Sequence, residues 1–334
     1  MADTYTQVKD ITVNITTAEG AGSLGLGYPL VIASKAESDT AYAECNSLAD
    51  VITAGFERTT EVYKACAAIF AQSNKPKTVA VVGTTDKAAE WLAANGTKGY
   101  RQIIPILAES EDSTLAELVT AVSVLEDKML FLQVASKTEL PATQSERVVA
   151  VVYSKTGYAN AAVVGASAGL AAGSFTYKNL KLTGIEAEEL TPSEVTAIHT
   201  AGAMCILKKA GDIVTSEGKT TDGEYIDVVD SKDYVISNIV YQGQKLLNNS
   251  NKVSFDNVGI SQLENVVTGV LADAYANGII ATNEDGTPAY STSFASRADT
   301  SESDRASRTY KGGNFTFDLA GAIHNATING TIEV

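Results

Sequence analysis

The sequence predicts an α/β layer followed by an α+β region, with strand-forming segments at both ends of the chain. Between Tyr28 and about Tyr153, near-continuous apolar runs alternate with helical patterns, as expected of a sheet covered on both faces. From Thr191 onward, helix starts and a hairpin pattern follow without that alternation. The last twenty residues, FTFDLAGAIHNATINGTIEV, alternate apolar and polar nearly throughout. Phe315, Phe317 and Leu319 fall on one face of such a strand, and Ile328, Ile332 and Val334 on one face further on. A strand needs a partner edge, because alone it leaves its N–H and C=O groups unpaired. That edge lies either in the same domain or in another subunit, and the pattern leaves both open.

Residues 1–20 read as an arm in which Ile11, Val13 and Ile15 alternate with polar neighbours, a short strand. A glycine-rich link, Gly20 to Gly27, follows. Strands are then expected at 29–34 (PLVIAS), 77–83, 101–107, 128–136 and 147–154, and helices at 45–53, 60–72, 86–94 and 113–126. Gly157 to Tyr177 carries no charge and is rich in Ala and Gly with few large aliphatics, which favours a tightly packed buried helix over a membrane span. Thr191-Pro192-Ser193-Glu194 is a helix start, with Thr at the N-cap, Pro at N1 and Glu closing a capping box. A hairpin is expected around Lys209-Ala210-Gly211, helices at 231–248 and 258–276, a turn at Asn283–Gly286, and then the C-terminal strands.

With 334 residues and 45% hydrophobic content the chain is globular and long enough for two domains. A formal net charge of −15 argues against a nucleic-acid groove or an anionic-lipid surface, both of which need clustered cations. Three scattered cysteines make no disulfide framework. The start, MADTYTQVKD, has neither basic residues followed by an apolar run nor a cleavage pattern, so no signal peptide and a cytoplasmic site of folding are expected.

Several motifs have competing readings. Gly20-Ala21-Gly22-Ser23-Leu24-Gly25 matches GxGxxG, but it leads into a strand where a dinucleotide loop must open a helix; a hinge is the better reading, and no cofactor is expected. Gly165-Ala166-Ser167-Ala168-Gly169 matches GxSxG, the nucleophile elbow of serine hydrolases. Ser167 with His324 would be the catalytic pair; the competing reading is a helix whose small residues allow close packing. Asp222, Glu224, Asp227, Asp230 and Asp233 lack the Gly and Glu spacing of a calcium loop, so a solvated or interface-facing acidic loop is expected. His199 and His324 have no carboxylates at ligand spacing, and no metal site is expected.

One charge feature stands apart. Of six arginines, Arg297, Arg305 and Arg308 fall within twelve residues. Ser301-Glu302-Ser303-Asp304 reads as a helix N-terminus. On that helix Arg305 and Arg308 would share a face, with Lys311 just beyond its end. This is either a solvated helix with internal ion pairs to Asp299, Glu302 and Asp304, or a basic docking face for an acidic partner.

The second half of the chain resembles the sheath proteins of contractile phage tails and related contractile injection particles, most of all the compact sheath-like tail family. The resemblance is carried by Gly211-Asp212, Thr215 to Thr220, Asp222 to Val229, Lys232-Asp233-Tyr234, Lys252-Val253, Asp256 to Ile260, Asn277 to Ala281, Asp304 to Arg308, Phe317 to His324 and Ile328 to Thr331. It covers about residues 160–334 well and 1–160 by general layout. Lys232 stands where many relatives have Arg, which keeps the charge.

The resemblance implies a non-enzymatic sheath subunit that polymerises with itself around a tail tube protein and meets baseplate and tail terminator proteins, without direct nucleic-acid contact or membrane insertion. It implies a particle assembled in a bacterial cytoplasm. The expected layout is an N-terminal arm (1–20), an α/β outer domain (21–180), an α+β inner, tube-facing domain (181–313) and a C-terminal strand or arm (314–334). Ile11, Val13, Ile15, Ile328, Ile332 and Val334 are expected in inter-subunit sheets, and Arg305, Arg308 and Lys311 are expected to face the tube. Twenty extended residues reach about 65 Å at about 3.3 Å each, against a radius of gyration of roughly 20 Å for a body of this size. The alternatives are a serine hydrolase and a non-contractile tail or surface-layer protein using the same strand exchange.

Overall fold

A computed structural model of the chain describes residues 26–34, 36–107 and 112–327. The expected N-terminal arm with Ile11, Val13 and Ile15, the Gly20–Gly25 motif, and Ile328, Ile332 and Val334 lie outside the described residues. The elements in order are β1 (Tyr28–Ala33), β2 (Thr40–Cys45), α1 (Leu48–Thr53), α2 (Glu61–Phe70), β3 (Val79–Gly83), α3 (Ala88–Asn95), β4 (Tyr100–Ile106), α4 (Asp112–Ser123), β5 (Met129–Val134), β6 (Val148–Val152) and α5 (Ala159–Ser167). They continue with α6 (Pro192–Thr200), β7 (Met204–Lys209), β8 (Asp212–Thr215), α7 (Ile226–Asn249), α8 (Asn257–Ala276), β9 (Tyr290–Phe294), α9 (Glu302–Ala306) and β10 (Gly313–Phe317).

The apolar runs become a single eight-stranded sheet in the order β2-β3-β1-β4-β5-β6-β7-β8. The six inner strands are parallel, and β2 and β8 close the edges antiparallel. β3 and β6 are buried at every position, because helices cover both faces. α2 and α5 pack on one face, where Val31, Phe131 and Val151 join Ile69 and Val163. α3 and α4 pack on the other, where Leu30, Ile103 and Leu130 meet Leu92 and Leu118. The Ala/Gly-rich segment forms α5, whose nine residues are all buried. Its Gly165 comes so close to α2 that an added Cβ would lie 2.5 Å from the Ile69 carbonyl oxygen, and only glycine fits there.

The sheet runs past the expected boundary at 180/181. β7 and β8 form the expected hairpin across Ala210 and Gly211, both at positive φ, the geometry of a tight two-residue turn. Through β7 the hairpin extends the same sheet beyond β6. The capping box on α6 is present, with both the Thr191 and Glu194 bonds made.

A separate core gathers α7, α8 and the two-stranded sheet of β9 and β10. Tyr234, Val235, Val267, Leu271 and Ala274 pack with Tyr290, Phe294 and Phe317. Two elements differ from expectation. β2 is not among the expected strands and shares only Cys45 with the helix expected at 45–53, which forms as α1; it is a short, half-exposed edge strand without a strong apolar run. α7 begins at Ile226, five residues before the expected Ser231, because Asp227, Asp230 and Asp233 are helical, while Asp222 and Glu224 stay in the turn before it.

Candidate functional site

The carboxylates at 227, 230 and 233 recur every three residues along the first turns of α7, so a helix turns them toward one side. Asp230 and Asp233 are buried against two of the chain's few arginines. Arg101, on β4, donates to Asp230 Oδ1 at 2.5 Å and to Asp233 Oδ2 at 2.8 Å. Arg147 donates to both oxygens of Asp233, and the Tyr177 hydroxyl donates to Asp230 at 3.1 Å. The four charged side chains are 7% exposed or less. Burial opposes the Arg101 charge, but the two aspartates outweigh it and raise its pKa. Burial raises the Tyr177 pKa as well. Two positive and two negative charges cancel, as buried ions require. The expected solvated acidic loop is therefore a pin between the parallel sheet and the α7 helix. Lys232 points outward to Glu146, at 3.0 Å.

The GxSxG reading fails on geometry. Ser167 is the last residue of α5, 2% exposed, and its hydroxyl donates to the Val163 and Val164 carbonyls. A nucleophile elbow holds its serine on a sharp strand-to-helix turn with the hydroxyl free. His324 bonds Thr176 instead. The Ser–His contact that does form joins His199 Nε2 to Ser216 Oγ at 2.8 Å. Ser216 is itself buried and takes the Cys205 N–H, so this contact ties α6 to the β7–β8 hairpin. Burial lowers the His199 pKa. Among the described residues no cluster of His, Cys, Asp or Glu could hold a metal ion. No helix among them is long and apolar enough to cross a membrane.

The basic segment divides. α9 starts as expected, with the Ser301 hydroxyl accepting from Asp304 N–H at 3.0 Å, but it ends at Ala306. Arg308 lies beyond the helix at φ 56°. This left-handed turn, and not a shared helical face, brings Arg308 to the cleft that Arg305 lines. That cleft, of about 1090 Å³, lies between the α7–α8 connection and residues 297–310, and Lys252, Arg297, Phe255 and Tyr310 also line it. Among the described residues none of these four cations makes an ion pair; Arg305 bonds only the Thr300 side chain and the Thr300 and Arg297 carbonyls. Lys311 is not in the cleft and pairs with Asp304 at 2.7 Å. The Lys311 ammonium and the Ser301 hydroxyl lower the Asp304 pKa. Internal pairing thus accounts for Lys311 and leaves Arg305 and Arg308 open.

The C-terminal alternation has a partner within its own chain for its first part. β10 pairs antiparallel with β9, Phe317 opposite Tyr290 and Gly313 opposite Phe294. Phe317 sits over the α7–α8 core, and Thr292 donates to Glu264 of α8 at 3.0 Å. Ser291 and Thr316 meet on the other face, 2.8 Å apart. The expected arm at 314–334 therefore begins as an intramolecular strand. The sheet has only these two strands, so each has an outer edge without a ladder partner among the described residues. Sequence reasoning placed no weight on β9 as a docking edge; its YSTSF pattern is short and mostly polar.

No protein-family model matches the chain, and no curated protein sequence matches it significantly. Its fold, however, is that of contractile sheath proteins over nearly its full length. The helical sheath of the anti-feeding prophage in its contracted state is similar with a TM-score of 0.73 at 13% identity, covering 98% of this chain and 99% of that one. The sheath complex of an extracellular contractile injection system, PVC, in its contracted state gives 0.72 at 12% identity, covering 100% and 99%. A sheath tail protein from Listeria innocua gives 0.60 at 12% identity, covering 89% and 96%. At these identities the likeness is one of fold.

Proposed function

We propose that this chain is the structural subunit of a contractile sheath, which polymerises with itself around a tail tube and shortens to drive the tube through a target envelope. The observation that carries the reading is the match to sheath subunits over at least 98% of either chain. The partners are further copies of the chain, a tail tube protein, and baseplate and tail terminator proteins; the setting is a phage tail or a phage-tail-like particle. The two-stranded β9–β10 sheet supports strand addition from neighbours, since a two-stranded sheet is marginal alone and its open edges can pair with added strands. In this reading the strands around Ile11, Val13 and Ile15 and around Ile328, Ile332 and Val334 add to those edges in neighbouring copies. Backbone ladders of that kind survive rotation of the bodies, while side-chain patches exchange.

Electron microscopy of the purified protein tests the reading directly. Striated tubes are the expected result; monomers alone at high concentration, or smooth polymers without a tube partner, would sink it. In the same reading Arg305, Arg308 and Lys311 face the tube, Lys311 with its charge paired to Asp304. Arg305→Glu with Arg308→Glu should abolish co-assembly with the tube while leaving the monomer folded, because Arg308 is exposed and Arg305 bonds only the adjoining 297–300 turn, outside any core. Unchanged co-assembly rejects the assignment.

A further inference from the structure

From Gly321 to Thr327 the chain runs over its own body without regular structure, and one side chain holds it there. Backbone pairing with the body ends where Ala320 N–H donates to Ile279 O at 2.9 Å. From Gly321 to residue 327 the only bond to the body among the described residues comes from His324. Its Nε2 lies 2.9 Å from Thr176 Oγ1, and its ring meets Tyr225 edge-on at 5.0 Å. Its Nδ1 lies 3.9 Å from Glu217, which also faces Lys178 at 3.7 Å. The imidazole is 11% exposed, whereas its neighbour Ile323 is 88% exposed. An exposed segment with a single inserted ring is held by that ring.

The span that His324 closes is loosely packed beneath. Residues 319–322 line one side of a cavity of about 250 Å³ whose other side includes Asp227 and Ser231. A stretch that borders a cavity makes few close contacts with the body beneath it, so little besides His324 resists lifting it.

We infer that His324 is a releasable latch that stores slack in the C-terminal segment. Latched, ten residues follow it, 325–334, with a reach of about 33 Å at about 3.3 Å per residue. Unlatched, the free segment begins at Gly321, and fourteen residues reach about 46 Å. The gain of about 13 Å lets a strand stay paired with a neighbour while two bodies move apart. The use of that slack rests on the sheath reading; the latch itself does not.

The test is made on the isolated, full-length chain, where no polymer is needed. A nitroxide is placed at Ala326→Cys, an exposed position; the three native cysteines are buried and do not compete. The parent should show an immobilised spectral component. His324→Ala should lose it, and so should Thr176→Val, which removes the hydrogen bond while the ring packing stays. Thr176→Ser should retain it. Should His324→Ala fail to fold, the Val and Ser variants still decide. Identical spectra across the set, or a fully mobile parent, would overturn the latch. Failure of the sheath reading would appear separately, as an absence of tubes in micrographs.

Discussion

Replacing Asp233 by Asn should cost about 3–5 kcal/mol, the usual price of leaving a buried charge uncompensated. Asp233 is the shared acceptor of Arg101 and Arg147. Without the Asp233 charge, Arg147 keeps only the half-exposed Glu146, 3.8 Å away, and Asp230 is the one buried carboxylate left beside the two guanidiniums. For a domain of this size the loss corresponds to a fall in the unfolding midpoint of roughly 5–15 °C. Replacing Arg147 with Met and Asp233 with Leu together should recover much of it, because Arg101 and Asp230 then remain as a balanced pair and Asp230 keeps the Tyr177 bond. Lys232→Ala, one residue away, serves as the control. Its bond to Glu146 joins side chains 46% and 41% exposed, and such pairs are worth about 0–1 kcal/mol. Denaturant titration of the four proteins checks the order. An Asp233→Asn loss no larger than that of Lys232→Ala would show that the cluster is no pin.

The consequence reaches beyond stability. Arg101 and Arg147 sit at the start of β4 and just before β6, and their partners open a helix of 24 residues. The cluster therefore fixes the direction of α7, and with it α8 and the β9–β10 edges, relative to the parallel sheet. On the proposed sheath reading, a subunit that hands force from one neighbour to another needs that relation held.

The parallel sheet was legible because its strands are buried on both faces and show it as uninterrupted apolar runs. α6 was legible because Thr191, Pro192 and Glu194 make a local signal that needs no tertiary context. The pin was not. Five carboxylates in twelve residues read as solvated because their partners, Arg101 and Arg147, lie far away in the sequence; only the three-residue spacing of 227, 230 and 233 hinted at a helical face. The basic cleft was half legible. Clustering of Arg305 and Arg308 is visible in the sequence, but their convergence depends on a left-handed residue at Arg308 itself, where no glycine or asparagine marks the turn. The terminal alternation showed strand and left the partner open. β9 takes Phe315 to Phe317, and of the face shared by Phe315, Phe317 and Leu319 only Phe317 packs on the α7–α8 core, while Phe315 and Leu319 stay exposed.

On the proposed sheath reading, removing residues 1–18, or residues 322–334, should abolish sheath formation while leaving the monomer folded. The described elements and core clusters are built from residues between 26 and 320, so circular dichroism and the unfolding midpoint should change little. Assembly should change greatly. A strand of about five residues added to the edge of β9 or β10 makes roughly four or five backbone hydrogen bonds, each worth about 0.5–1.5 kcal/mol net. One edge thus contributes roughly 2–7 kcal/mol, or a factor of about 30 to 10⁵ in association. In a polymer every subunit loses that contribution at once. A shorter deletion, residues 328–334, separates two roles: it removes Ile328, Ile332 and Val334 but keeps the His324 contact with Thr176. If the strand matters, the short deletion should be as defective as the long one. If purified protein truncated at either end still forms full-length sheaths in micrographs, strand exchange is not what holds the subunits together. The side-chain surfaces, with the cleft of Arg305 and Arg308 first among them, would then have to carry the assembly.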